Sequence, residues 1–333
     1  MKNLYVLYFL FSWCLISDAQ QISSWSSFYE NGFIWNPALT AKWNATETSV
    51  THRRDWTGFD DSPEYSTIAF QYPFISRTNK RSSIGAYVDQ DQVGPFKKIG
   101  LAATYAYGFS PKFMGKHDDV LTLGIKASFG RYEYDPTSLV AFDEVIDEII
   151  RPEVIGNASI SPNLGVGVFY NSVSDFYAFQ KSHYYAGFSI NQLVPIKAVT
   201  LTYTAGDFLP LGDIVSGPHA TMHFGYRHIP FRRARYFVEP NMMVVYGFQN
   251  AIHAMANVRY EKVNAYWASA GAASNGEVFL QTGIIFDKNS FLKSLVKEGA
   301  LRLGVKMDYH LGSFGNYAGI GYEFYGAYVF EVE

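Results

Sequence analysis

The chain has one cysteine, Cys14, in 333 residues, and only 17% of its residues are charged. An ordinary soluble domain carries roughly a quarter charged residues. Beyond the first twenty positions there is no run of about 20 apolar residues of the kind a membrane-crossing helix needs. The formal net charge is −3, so there is no excess of basic residues either. Each shortage excludes a class. With its lone cysteine inside an apolar N-terminal stretch, the chain has no disulfide framework, thiolate metal site or cysteine nucleophile to offer. The slightly acidic balance excludes the basic footprint of a nucleic-acid binder. The broken hydropathy excludes a bundle of membrane helices.

What the chain does have is aromatic and apolar residues. It carries 25 Tyr, 27 Phe and 28 Gly, and 48% of its residues are apolar. High apolar content without long apolar runs suits a transmembrane β-barrel, where lipid-facing and lumen-facing side chains alternate and cancel in any average. The N-terminus reads as a secretory signal, residues 1–19: Lys2 supplies a positive start, Leu4 to Ile16 an apolar core, and Ser17 and Ala19 the small residues before a cut after Ala19. Trp13 before Cys14 argues against a lipoprotein signal, which wants a small residue there.

The recurring pattern after residue 20 is alternation with a period of two. From Leu301 to Leu311, the residues Leu301, Leu303, Val305, Met307, Tyr309 and Leu311 alternate with Arg302, Gly304, Lys306, Asp308 and His310. About eleven residues is longer than the usual soluble strand and matches a tilted strand crossing a bilayer. The same rhythm predicts about fourteen strands, near 46–56, 64–74, 82–89, 96–109, 119–131, 162–171, 182–191, 219–228, 236–247, 250–261, 263–271, 276–287, 299–311 and 317–331. That is an even count, as in single-chain bacterial barrels. Two long connections remain, about 132–161 and 192–218. Residues 46–333 would form the barrel.

With both termini in the periplasm, the connections sort by charge. One set holds Arg77, Lys80, Arg81, Lys112, Lys116, Arg232, Arg233 and Arg235; the other holds Asp60, Asp61, Asp89, Asp91 and the acidic stretch from Glu133 to Glu153. Lys97, Lys98 and Arg151 depart from the pattern. The basic set is a candidate docking face for acidic periplasmic partners.

Before the first wall strand, residues 20–45 carry the aromatic cluster Trp25, Phe28, Tyr29, Phe33 and Trp35, followed by Asn36-Pro37-Ala38. Asn36-Pro37 is a turn, because proline fixes its own torsion and pushes the preceding residue out of the helical region. So apolar a segment is expected to tuck into the barrel or pack under its mouth. Arg54 and Trp56 fall at the outer end of the first strand, where Trp would anchor at the interface and Arg54 would pair with Asp60 or Asp61.

The order Trp25–Tyr29, Ile34–Ala38, Arg53-Arg54-Asp55-Trp56-Thr57-Gly58 and Ser62-Pro63 resembles the opening of the PorP/SprF family of type IX secretion outer-membrane proteins. Asp91-Gln-Val-Gly94-Pro95, Leu123-Gly124 and Tyr184 to Ser189 resemble its later hairpins. Where that family has Gly-Ala-Pro in the first loop, this chain has Asp61-Ser62-Pro63. The matching positions are Asn36, Pro37, Arg54, Trp56, Gly58 and Pro63. The resemblance implies a non-enzymatic barrel in outer-membrane lipid, with two kinds of partner. One is a secreted protein carrying a C-terminal sorting domain; the other is the periplasmic part of the secretion machine.

Catalytic and metal chemistry find little support. His219 and His223 share strand parity while His228 points the other way, and no third ligand is in view. No nucleophile elbow is present. Asp89-Gln-Asp91-Gln-Val-Gly94 lacks the distal Glu and flanking helices of a calcium loop and reads as a hairpin turn. Neither catalytic residues nor a cofactor are expected. The alternative to a secretion accessory is a solute-transporting, porin-like barrel, which a wet polar lumen would favour.

Overall fold

A computed structural model describes residues 28–42, 45–59, 61–75, 81–111, 119–134, 154–173, 179–203, 209–231, 234–247, 252–287, 296 and 298–331. The expected signal segment, Trp25, and the connection 135–153 lie outside them.

The first strands are β1 (Ala45–Arg54), β2 (Glu64–Ile75), β3 (Arg81–Val93), β4 (Phe96–Phe109), β5 (Val120–Tyr134), β6 (Val154–Asn171) and β7 (His183–Asn191). A hairpin follows, β8 (Ile196–Tyr203) and β9 (Leu209–Ser216). The wall resumes with β10 (His219–Arg227), β11 (Tyr236–Tyr246), β12 (Ile252–Lys262), β13 (Tyr266–Ala273) and β14 (Glu277–Asp287). It ends with β15 (Ala300–His310) and β16 (Ile320–Glu331). Two single turns of helix, α1 (Gly32–Trp35) and α2 (Gly315–Ala318), and a 3-10 turn over Pro37–Leu39 complete the described elements.

All pairings are antiparallel. β1 pairs with both β2 and β16, and β5 pairs with β6, so fourteen strands close into a ring from which β8 and β9 stand apart. The fourteen wall strands coincide with the expected ones. The connection 192–218 differs, because it contains the β8–β9 hairpin. β6 also starts earlier than its alternation suggested, and its first residues, Val154 to Ala158, pair with β8. This overhang escaped notice because chain that rises past the lipid belt is under no demand to alternate.

Closure satisfies the backbone groups that a membrane leaves no water to satisfy. One interruption shows the rule at work. Pro240 in β11 has no N–H, and the ladder to β10 breaks between the pairs Gly225↔Asn241 and His228↔Val238.

Alternation places an apolar belt outside, with Ile68 61% and Leu280 68% exposed. The opposite parity lines the lumen with polar side chains, including Ser49, Thr51, Arg53, Asn191, Thr221, Arg259, Lys306 and Asp308, all buried. No helix among the described residues is long and apolar enough to cross a membrane. The ring defines two rims. The terminal rim holds the start of β1 and the end of β16; the far rim holds the β1–β2, β3–β4, β13–β14 and β15–β16 connections.

Candidate functional site

The lumen is occupied by the chain's own residues 28–42. Asn36 is the pivot. Its side-chain amide donates to the Val168 carbonyl at 3.1 Å, and its Oδ1 accepts from the Ala38 N–H at 3.0 Å, capping the 3-10 turn that Pro37 begins. Nearby, Ser189 Oγ and Asn191 Nδ2 donate to the Trp35 carbonyl at 2.8 and 2.7 Å, and Lys126 Nζ donates to the Ile34 carbonyl at 3.0 Å. Thr40 bonds Thr104 at 2.9 Å, and Ser83 donates to the Thr40 carbonyl at 2.7 Å. Glycines in the wall make room for the turn. A Cβ on Gly124 would lie 2.2 Å from the Ala38 nitrogen, and one on Gly167 would lie 2.0 Å from Asn36 Oδ1.

The earlier part of the segment is held by charge. Glu30 pairs with Arg259 at 2.5 Å, and Arg259 also pairs with Glu261 at 2.7 Å, which Arg302 reaches at 3.1 Å. Tyr29 accepts from Arg227 at 2.7 Å and donates to Glu239 at 3.2 Å; Arg227 and Glu239 pair at 2.6 Å, and Tyr185 donates to Glu239 at 2.7 Å. Burial pushes the Tyr29 phenol well above its ordinary pKa, so it stays a donor. Phe33 packs edge-on against Tyr87, and the Lys42 ammonium lies 4.2 Å from the centre of the Tyr185 ring. A small cavity opens beside the segment, lined by Phe28, Phe33, Leu39, Phe169, Tyr185 and the polar Glu47 and Gln71.

Nearer the far rim lies a second ionic cluster. Arg53 pairs with Asp55 at 2.6 Å and approaches Glu277 at 3.4 Å, while Lys306 pairs with Glu277 at 2.8 Å and Asp308 at 2.9 Å. Burial raises the Asp55 pKa, and the neighbouring Arg53 opposes that rise. Above this cluster Trp56 turns with φ +52° and stacks edge-on against Phe314 at 5.2 Å and His310 at 6.0 Å.

A family model for "Type IX secretion system membrane protein PorP/SprF" matches residues 17–328, nearly the whole chain. The chain belongs to the PorP/SprF family. No curated protein matches it. Solved structures share its fold. The toluene transporter TodX of Pseudomonas putida is 10% identical over 90% of this chain and 93% of its own, with a TM-score of 0.56. The toluene transporter TbuX of Ralstonia pickettii is 10% identical over 91% of this chain and 93% of its own, with a TM-score of 0.54. CymD, described as a monoaromatic hydrocarbon channel, is 12% identical over 96% of this chain and 95% of its own, also at 0.54. At such identities the likeness concerns the fold alone. Family and fold together place this PorP/SprF chain in the outer membrane and point to a non-enzymatic role in type IX secretion.

The PorP/SprF motif positions fall in two places. Asn36 and Pro37 lie in the lumen. Arg54, Trp56, Gly58 and Pro63 lie on the far rim. Arg54 donates to Ser62 at 2.6 Å and pairs with Glu64 at 3.5 Å. Gly58 donates to the Ala318 carbonyl at 2.8 Å, and the Pro63 carbonyl accepts from the Asp55 N–H at 2.9 Å. Trp56, expected at the lipid interface, stacks on the inward His310. Of the basic set, Arg77, Lys80, Lys112, Lys116, Arg232 and Arg233 lie outside the described residues. Arg235 is exposed, and Arg81 donates to the Lys42 carbonyl at 3.1 Å. Asp89, grouped with the far-rim acids, is buried inside the wall and pairs with Lys98 at 3.0 Å, so neither is a rim charge.

Sequence reasoning missed the interior charges Glu30, Arg53, Arg227, Glu239 and Arg259. Strand parity was the available signal, since Ser49, Thr51 and Arg53 share one face. His223 is buried toward the lumen and His228 is exposed on the other face. Among the described residues no three of His, Cys, Asp and Glu converge as metal ligands would.

Proposed function

We propose that this barrel is a plugged scaffold: it binds or retains a secreted protein with a C-terminal sorting domain at its far rim and meets periplasmic secretion components at its terminal rim. Both termini would then lie in the periplasm, which turns the basic connections toward that compartment. The carrying observation is the lumen segment 28–42, held by buried ion pairs and hydrogen bonds on opposite walls. A barrel filled this way leaves its two rims, rather than its bore, as working surfaces.

The second reading is solute transport. The cavity lined by Phe28, Phe33, Leu39, Phe169 and Tyr185 favours it, as does the fold shared with toluene transporters. One experiment separates the two. The tagged barrel is drawn from its native membrane in gentle detergent, its companions are identified, and the same preparation is placed in planar bilayers. Recovery of a secreted protein with a sorting domain, together with a closed bilayer, supports the scaffold. A solitary barrel that conducts overturns it in favour of transport.

A further inference from the structure

The ionic cluster near the far rim has more acid than base. It spans four neighbouring strands, β14, β15, β16 and β1, and so straddles the seam where β1 and β16 close the ring. Two cations, Arg53 and Lys306, face four carboxylates, Asp55, Glu277, Asp308 and Glu323, so full ionisation would leave two negative charges in excess. Register brings the crowding about. Glu323 lies opposite Arg53 on one side and opposite Lys306 on the other, yet each cation is drawn to a different acid. Arg53 reaches Asp55 at 2.6 Å and Glu323 only at 3.8 Å, while Lys306 reaches Glu277 at 2.8 Å and Asp308 at 2.9 Å. Asp308 Oδ1 has no donor; it is turned against Gly321, where a Cβ would lie 2.2 Å away. The network around the lumen segment is balanced by comparison, with Glu30 and Glu261 meeting Arg259 and Arg302.

An unbalanced charge in such a place is costly, so something positive must offset it. Asp308 is 3% and Glu323 2% exposed, which leaves no opening for a partner's side chain. Among the described residues no three of these groups converge as metal ligands would. The cation small enough to enter is the proton. Carboxylates forced together hold one rather than all ionise. Two histidines face the cluster, His310 on β15 and His253 on β12, and give the proton further places to sit. Glu30, which also acts on Glu323, is already paired with Arg259. At the more open end of the cluster, burial raises the Asp55 pKa. We infer that the cluster is a proton-loaded clasp on the closing seam: folded, it carries protons that its separated side chains would release, and the seam loosens as rising pH removes them. Such a clasp works whatever the rims bind, so it is independent of the scaffold reading.

The sign is opposite to that of an ordinary paired carboxylate. Above the usual carboxylate range, about pH 4, the folded cluster binds more protons than the unfolded chain, so each rise in pH costs stability. Each proton held in excess shifts the unfolding equilibrium by up to about tenfold per pH unit. The test uses the full barrel in detergent and the nearly isosteric variants D308N, E323Q and D308N/E323Q, unfolded in urea at about pH 6 and about pH 8.5. The readout is the difference between proteins, since all other groups titrate alike in them. The double variant, whose cluster is balanced, should gain stability relative to wild type as the pH rises. Unfolded in unbuffered urea near about pH 7 with a pH indicator, it should also release roughly one to two fewer protons than wild type. If the double variant fails to fold, D308N or E323Q alone should show the same changes at smaller size. Equal proton release from wild type and variants overturns the inference. So does a stability difference that is the same at both pH values, which would leave Asp308 and Glu323 as ordinary ion-pair partners.

Discussion

Two stretches of one lumen segment are held by different physics. Around Tyr29 and Glu30 the contacts are charged, long-range and buried: Glu30 with Arg259, and Tyr29 between Arg227 and Glu239. Around Asn36 and Thr40, apart from the Lys126 ammonium on the Ile34 carbonyl, they are neutral hydrogen bonds with wall carbonyls, amides and hydroxyls, with the backbone pressed against glycines. A buried charge is costly unless paired, so the first stretch is sensitive to the loss of any partner. The second is sensitive to shape, because each neutral bond contributes modestly while added bulk has nowhere to go. Charge fixes where the segment enters, and close packing fixes its path.

The largest expected effect breaks the charged side. Arg259→Ala strands Glu30 and should destabilise the barrel by about 3–5 kcal/mol, measured by urea unfolding followed as heat-modifiable gel mobility. Adding Glu30→Gln to that variant should recover part of the loss; no recovery would mean that the pair is not the anchor. Next comes the shape side. Gly167→Val drives a side chain into Asn36, and about 1–3 kcal/mol of overpacking should displace the segment, seen as new protease cleavage within residues 28–42. Asn36→Ala is milder, about 1–2 kcal/mol, because it leaves the Val168 carbonyl without its donor. The smallest effect separates two adjacent arginines. Arg54→Ala, at a half-exposed pair, should change stability by less than about 1 kcal/mol, whereas Arg53→Ala should cost about as much as Arg259→Ala. Equal losses at the two arginines would refute the assignment of Arg53 to the buried cluster.

Much of the wall was legible in the sequence because lipid on one side and a polar lumen on the other force a period of two. From Leu301 to His310 every outward residue was readable, and so was the antiparallel ring. The β8–β9 hairpin and the β6 overhang were not, since chain beyond the lipid belt is free of that demand. The motif around residues 53–58 drew attention to Arg54, whereas the arginine buried among four carboxylates, Asp55, Glu277, Asp308 and Glu323, is Arg53. Parity held that information, but an arginine at a strand end reads equally well as a rim charge. Asp89 and Lys98 failed as rim charges for the same reason: they lie near the turn in sequence and yet point into the wall.

The amino-acid order by itself determined the barrel class, the strand number, the family and the apolar character of the segment that enters the lumen. These depend on local alternation and on short ordered motifs, which one chain carries in full. Tertiary structure alone decided which charges meet. Glu30 finds Arg259, and Arg53 finds Glu277, across more than two hundred residues of chain. Such partners are set by the register and closure of the ring, and no local pattern in the sequence encodes either.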